Sequence, residues 1–384
     1  MRTGIATIPL DWGKCPPWLF LRMKKLARSI FFLIADEFGP EEVLRCLSDP
    51  AWFQALGSVL GFDWNSSGLT TTTLGAIKAG IFDIQDEIGI YVCGGKGKTS
   101  KKTPQEIEAY GVSRAFPFSP FLVFASKITA KVDSCLLQDG YQIYHHSFLF
   151  TKNGTWTVIQ QGMNLDLQSA RRYHWHGGLK KNFIEEPHSG IITDKKFSHL
   201  NLSSKESKKN REIVLDMTRG SFRAIEKDLN LLSKYLLDTS FVKKISLPDD
   251  SFLPKESDDL RLFNFLPRDK QKLNFNTPYI KKTIFELTSR KPRRFTEILY
   301  KKGVGPKTIR ALSLVAELIY GAKPSYEDPA RYSFAHGGKD GVPYPVDLDV
   351  YDKTIEIIEK AIKKSELSLK EKDQSLKKLN QVFK

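Results

Sequence analysis

The chain has 384 residues, with 59 Lys or Arg against 44 Asp or Glu, a formal charge of +15 and a pI near 9.4. An apolar content of 41% excludes a disordered polyelectrolyte, and the basic excess favours a polyanionic partner such as nucleic acid. No apolar run reaches the roughly 18 residues of a membrane-spanning helix, and no signal-peptide hydrophobic region opens the chain, so no membrane partner and a cytoplasmic location are expected.

In chain order, Pro16 and Pro17 open an amphipathic helix that ends at Gly39, and Pro40 starts a second. "AWFQALGSVLG" and "LTTTTLGAIKAG" read as two more. "CGGKGKTSKKTP", residues 93–104, imitates a nucleotide-binding phosphate loop, but the glycine needed five residues before Gly97-Lys98-Thr99 is replaced by Val92. No nucleotide cofactor is therefore expected. Thr103, Pro104 and Glu106 read instead as a capping box, which makes Lys96, Lys98, Lys101 and Lys102 an anion site at a helix N-terminus. The four cysteines, Cys15, Cys46, Cys93 and Cys135, are too dispersed for a zinc ribbon or an iron–sulfur cluster and read as free thiols.

Residues 118–139 read as helical. "YQIYHHSFLF" and "TWTVIQQGM" around "TKNG" then make a β-hairpin. On a strand, His145 and His146 point to opposite faces, and Gln160 and Gln161 split likewise. Candidate chemistry concentrates between 133 and 188, in Asp133, Asp139, His145, His146, Gln160, Gln161, Glu186 and His188. Asp139, Glu186 and His188 are the expected ligands of Mg2+ or Mn2+, which would activate water against a phosphodiester. Arg171 and Arg172, beside Tyr173 and Trp175, combine guanidinium with aromatic rings as a stack for unpaired bases would.

Residues 203–238 are helical and 244–276 a Pro-rich connector. A helical domain follows over 277–364, with Pro278 at a helix start, and a basic helical tail over 365–384. The fold class expected is α+β: a mixed domain over 1–243 followed by an all-α one.

"FTEILYKKGVGPKTIRALSLVAELIYG", residues 295–321, resembles the helix-hairpin-helix element of DNA repair proteins. The resemblance implies that N–H groups of the glycine turn face a DNA phosphate, with Gly303, Gly305, Lys307, Thr308 and Arg310 as the contact set. "AHGGKDGVPYPVDLDVYDKT" is similar to the Gly/Pro-rich loop and aspartate of helix-hairpin-helix glycosylases; on that resemblance Lys307 and Asp347 would carry lyase chemistry. Over nearly its whole length, through stretches such as "PPWLFLRMKKLAR", "LQDGYQIYHHSFLF", "ARRYHWH" and "EEPHSGI", the chain also resembles an uncharacterised family of archaea and some thermophilic bacteria, domain of unknown function 763. That family supplies no activity. The function expected from the residues is DNA processing by a metal-dependent nuclease, with a glycosylase or abasic-site lyase and a non-catalytic DNA-binding module as alternatives, and RNA in place of DNA left open.

Overall fold

The computed structural model describes residues 15–61, 66–193, 196–237, 277–330 and most of 356–382. The expected connector at 244–276 and the loop carrying Asp347 lie outside the described residues.

Four helices come first: α1 (Pro17–Phe38), α2 (Pro40–Ser48), α3 (Pro50–Val59) and α4 (Ser67–Gly80). The Asp49 carboxylate accepts the N–H groups of Ala51 and Trp52 and so caps α3. The threonine run is helical, as the Ser-Ser-Gly start and the alanines beyond it imply. After a single helical turn, α5 (Gln85–Ile88), the chain enters strand β1 (Ile90–Lys96), a 3-10 turn (Gly97–Lys102), then α6 (Thr103–Ser113) and α7 (Ser119–Cys135). The short β2 (Leu137–Gln138) precedes the long hairpin β3 (Gln142–Thr151) and β4 (Trp156–Asn164), whose turn contains Gly154 at φ 81°. Strands β5 (Ser169–Gly177), β6 (Gly190–Ile192) and β7 (Leu200–Asn201) follow, then α8 (Lys208–Arg219) and α9 (Phe222–Leu237). The C-terminal part adds α10 (Pro278–Arg290), capped by Thr277, then α11 (Phe295–Tyr300), α12 (Pro306–Leu318) and the tail helix α13 (Leu369–Val382).

The main sheet runs in the order β1-β3-β4-β5-β6, and every neighbouring pair is antiparallel. Helices cover both of its faces. On one face Ile90, Val92, Leu149 and Ile159 join the core of α1–α4; on the other Tyr91, Phe148, Trp156, Val158 and Trp175 join a core shared with α7–α12. The protein is thus α+β, with a helix–sheet–helix layering. The buried residues of α10–α12, such as Ile284, Leu299 and Val315, belong to the same cluster as that second sheet face; these helices pack on α7, α8 and α9, and α7 in turn packs on the sheet. The tail helix is attached as well: Arg22 of α1 pairs with Glu371, and Leu376 packs against the α1–α4 core, while Leu369 is 87% exposed. Among the described residues, no helix is long and apolar enough to cross a membrane, and the four cysteines are free.

Candidate functional sites: a buried polar relay and a glycine turn

A strand covered on both faces must bury whatever polar side chains it carries, and each then needs a partner. Two polar rows cross the sheet in register. On the α7 side, His146 stands opposite Gln160 and Gln160 opposite Tyr173; on the α1–α4 side, His145 stands opposite Gln161 and Gln161 opposite Arg172.

The first row forms a relay that converges on one carboxylate. Ser126 of α7 lies 2.9 Å from His146 Nε2, His146 Nδ1 lies 2.8 Å from Gln160 Oε1, and the Gln160 amide donates to Asp133. Since Gln160 Oε1 can only accept, His146 carries its proton on Nδ1 and accepts a hydrogen bond from the Ser126 hydroxyl at Nε2. Asp133 Oδ2 also accepts from Trp175 Nε1 at 3.0 Å, and Oδ1 meets His188 Nε2 at 2.5 Å. Asp133 is fully buried. Burial pushes its carboxyl above the ordinary carboxylate range, with His188 and Trp175 acting in the opposite sense. His188 sits against the Trp175 ring, 4.4 Å between centroids, with its side chain 7% exposed.

A second buried centre adjoins the relay through Tyr173. The Tyr173 hydroxyl donates to Asp139 at 2.6 Å, and Arg171 donates to Asp139 at 2.7 Å and to Asp328 at 2.6 Å. On the opposite face Arg172 reaches Gln54 Oε1 at 2.8 Å, Thr70 Oγ1 at 3.1 Å and His174 Nε2 at 2.9 Å, beneath the Phe53 ring. These acceptors are neutral, and burial lowers the guanidinium pKa. Gln161 accepts from Thr70 and donates to the Ser67 carbonyl at 2.9 Å. His145 meets Ser147 at 2.9 Å.

Asp133, Gln160, His146 and His188 are therefore brought together, whereas His145 and Gln161 lie across the sheet. The expected metal set is not assembled. Asp139 is engaged by Arg171 and Tyr173, His188 by Asp133, and Glu186 by Lys205 at 3.0 Å. Among the described residues, no group of three His, Cys, Asp or Glu side chains could hold a metal ion. Arg171 and Arg172 correct a second expectation: both are buried and structural, and neither they nor Tyr173 and Trp175 can stack on a base.

The lysine loop is also different from its sequence reading. Glu106 forms no capping box; it accepts the Gly94 N–H at 2.9 Å and pairs with Lys78 at 2.6 Å, while Thr103 is itself helical and bonds the Ser100 carbonyl. Gly94 is a packing glycine: at φ 85°, a Cβ there would lie 2.2 Å from the His146 carbonyl oxygen. Lys96, Lys98, Lys101 and Lys102 are exposed around this turn.

The second site is the turn at 301–305 between α11 and α12. Gly303, at φ 95°, needs to be glycine, and its carbonyl accepts from Tyr279 at 2.7 Å. Val304 is buried as the anchor, and Lys131 of α7 donates to its carbonyl. Gly305 is different: its φ of −133° suits any residue, and a Cβ there would meet nothing within 4 Å. Lys302 and Lys307 are exposed beside it. Thr308 and Arg310, expected to face a phosphate, instead point inward; Arg310 is 6% exposed and lies over the Tyr326 ring at 5.8 Å.

With the fold and both sites described, the match of residues 4–346 to a single family model becomes decisive. The chain belongs to the family DUF763, described as protein of unknown function. No curated protein and no solved structure matches it. For this DUF763 protein, function has to be argued from the two sites. Sequence reading missed Ser126, which ends the relay, and Lys127 and Lys131, which flank the turn; only their spacing of four on one helix pointed to a shared face.

Proposed function

We propose that this DUF763 protein binds the sugar–phosphate backbone of DNA through the turn at 301–305. The observation that carries this reading is Gly305, a glycine where neither backbone angle nor packing calls for one. It stands at the N-terminus of the 13-residue α12, where main-chain N–H groups and the helix dipole favour an anion. A missing side chain there lets a phosphate approach those N–H groups closely. Lys302 and Lys307 at the turn, Lys127 nearby on α7, and the exposed lysines at 96–102 supply the charge that such sequence-independent binding uses.

The test follows from the same geometry. Gly305→Ala should lower the thermal midpoint only modestly, as alanine is a poorer N-cap than glycine, and weaken duplex binding about tenfold, by setting a methyl group over the N–H groups. Lys307→Ala should weaken all sequences alike and lower the slope of log affinity against log salt by about one. Fluorescence anisotropy across a salt series reads both; unchanged low-salt affinity in both variants would remove the turn from DNA binding.

A second reading, proton-transfer catalysis on the bound strand, is favoured by Asp133 and His188 at 2.5 Å. The buried carboxylate orients the ring through Nε2 and leaves Nδ1 as the nitrogen able to accept a proton. Asp133→Asn is the informative variant. Its amide oxygen still accepts from Gln160 and Trp175, but its NH2 donates to His188 Nε2, forcing the ring proton onto Nδ1. The fold should persist while any strand cleavage, assayed on single-stranded, duplex and abasic DNA with and without divalent metal, falls at least about 100-fold. Cleavage at wild-type rate would leave the relay a purely structural network.

A further inference from the structure

The base-stacking surface expected at Arg171 and Arg172 is absent there, yet a surface of that kind lies elsewhere. A groove of about 640 Å3 opens between α7, the 179–185 loop after β5, α8 and the start of α11. Its aromatic side is Phe121, Phe124 and Phe183, with centroid distances of 6.5, 6.2 and 5.5 Å among them. Phe183 is stacked on the buried Trp156 at 5.7 Å and an interplanar angle of 5°, which fixes that wall, while Phe121 and Phe124 are partly open. The rim is basic. Lys180, Lys208 and Arg294 are exposed on it, and the carboxylate of Glu185 is taken up by Arg211 at 2.8 Å, leaving Glu212 as the other acid.

The groove adjoins the glycine turn through α7 and α11. Phe124 packs on Tyr300 at 5.2 Å, Lys127 lies over the same Tyr300 ring, and Lys131 bonds the turn itself. Phe295, at the groove, and Tyr300, next to the turn, are the two ends of α11, roughly 7.5 Å apart at 1.5 Å per residue. We infer that this groove holds unpaired nucleotides, with bases stacked along Phe121 and Phe124 and phosphates met by Lys180, Lys208 and Arg294. The inference rests on the backbone-binding reading above and adds to it a substrate class: single-stranded nucleic acid, or a strand with unpaired bases next to a duplex. Aromatic faces accept any base and the cations follow the backbone, so the groove is sequence-tolerant.

The test compares three fluorescein-labelled probes by anisotropy at low salt: a mixed-sequence single strand, the same length as full duplex, and a base-less strand of abasic units. The single strand is run in deoxy and ribo forms, and loss on either supports the inference and identifies the sugar. Phe124→Ala should weaken the single strand by roughly tenfold and leave duplex and base-less strands within about twofold, and Phe124→Trp should restore binding. Because Phe124 also packs on Tyr300, the exposed Arg294→Glu is a second variant that does not touch the core. It should weaken the single and base-less strands and spare the duplex. If Phe124→Ala and Arg294→Glu leave single-strand affinity unchanged while Lys307→Ala still weakens every probe, the groove is not a nucleotide site and the turn remains one. If the wild-type protein binds none of the probes, both readings fall together.

Discussion

Arg171→Met is expected to destabilise the protein by about 3–5 kcal/mol. The guanidinium is fully buried and bridges Asp139, at the start of the hairpin, to Asp328, beyond α12, with Tyr141 and Phe197 rings beside it. Removing it leaves two carboxylates sealed from water without their counter-ion, which costs far more than an exposed ion pair would. Burial alone would raise the Asp328 pKa; Arg171 first, with His199 and the Ala330 N–H, together outweigh it and hold the pKa below the ordinary value. Lysine cannot replace the arginine, since one ammonium cannot reach both carboxylates in the same planar fork. The damage should extend to the proposed DNA binding at the glycine turn. The segment after α12 is clipped to the sheet by Arg171–Asp328 and by the backbone bonds His199 N–H to Tyr326 O and Asn201 N–H to Ser325 O, and it fixes the end of the helix that the glycine turn begins. Urea unfolding followed by circular dichroism measures the first effect. A midpoint shift equivalent to less than about 1 kcal/mol would mean the triad is not what holds 328 in place.

Local features of this fold were legible in the sequence because their causes are local. The Asn-Gly turn gave the β3/β4 hairpin, Pro278 gave the start of α10, and strand alternation separated His145 from His146. What misled was β5. "SARRYHWHG" places polar side chains on both faces, as a solvent-facing strand would, and nothing within the strand says that helices cover both sides. The residues that make its burial tolerable, Gln54, Thr70, Asp133 and Asp328, are distant in sequence; Asp133 stands out only as candidate chemistry, and the other three look like ordinary surface residues in their own segments. The same blindness affected the hairpin element. Its glycines and Pro306 could be read, but whether Arg310 faces solvent depends on Tyr326 and on the packing of α12, which only the tertiary structure sets. The groove at Phe124 was out of reach for a further reason: its walls come from four separate segments.

Stability should fall steeply below about pH 6.5, because the sheet buries histidines in their neutral form. Burial lowers His145 to about 3 and His146 to about 4, from an ordinary value of 6.5, and takes His174 well below that value. Their hydrogen bonds fit neutral rings: His146 donates through Nδ1 to Gln160, and His174 accepts from Arg172 at Nε2 and faces the Leu47 carbonyl with Nδ1. Between pH 6.5 and 4 the unfolded chain binds these three protons and the native state does not, so stability is fully present above 6.5 and is lost as pH falls. Asp133 works in the other direction. Its pKa is raised above 3.8, so the folded state keeps a proton that the unfolded chain has released, which offsets at most one of the three. The net uptake of two to three protons on unfolding corresponds to roughly 3–4 kcal/mol per pH unit near pH 5. Urea midpoints at pH 7.5 and 5.0 would show it, and His146→Gln, which keeps a polar partner for Gln160 without a titrating ring, should reduce the slope by about 1.4 kcal/mol per pH unit. A midpoint unaffected by pH in this range would mean that His145, His146 and His174 already exchange protons with water in the native state. In that case His146 and Asp133 would belong to an open, titrating site instead of a sealed relay, and His188 would be only its outermost member.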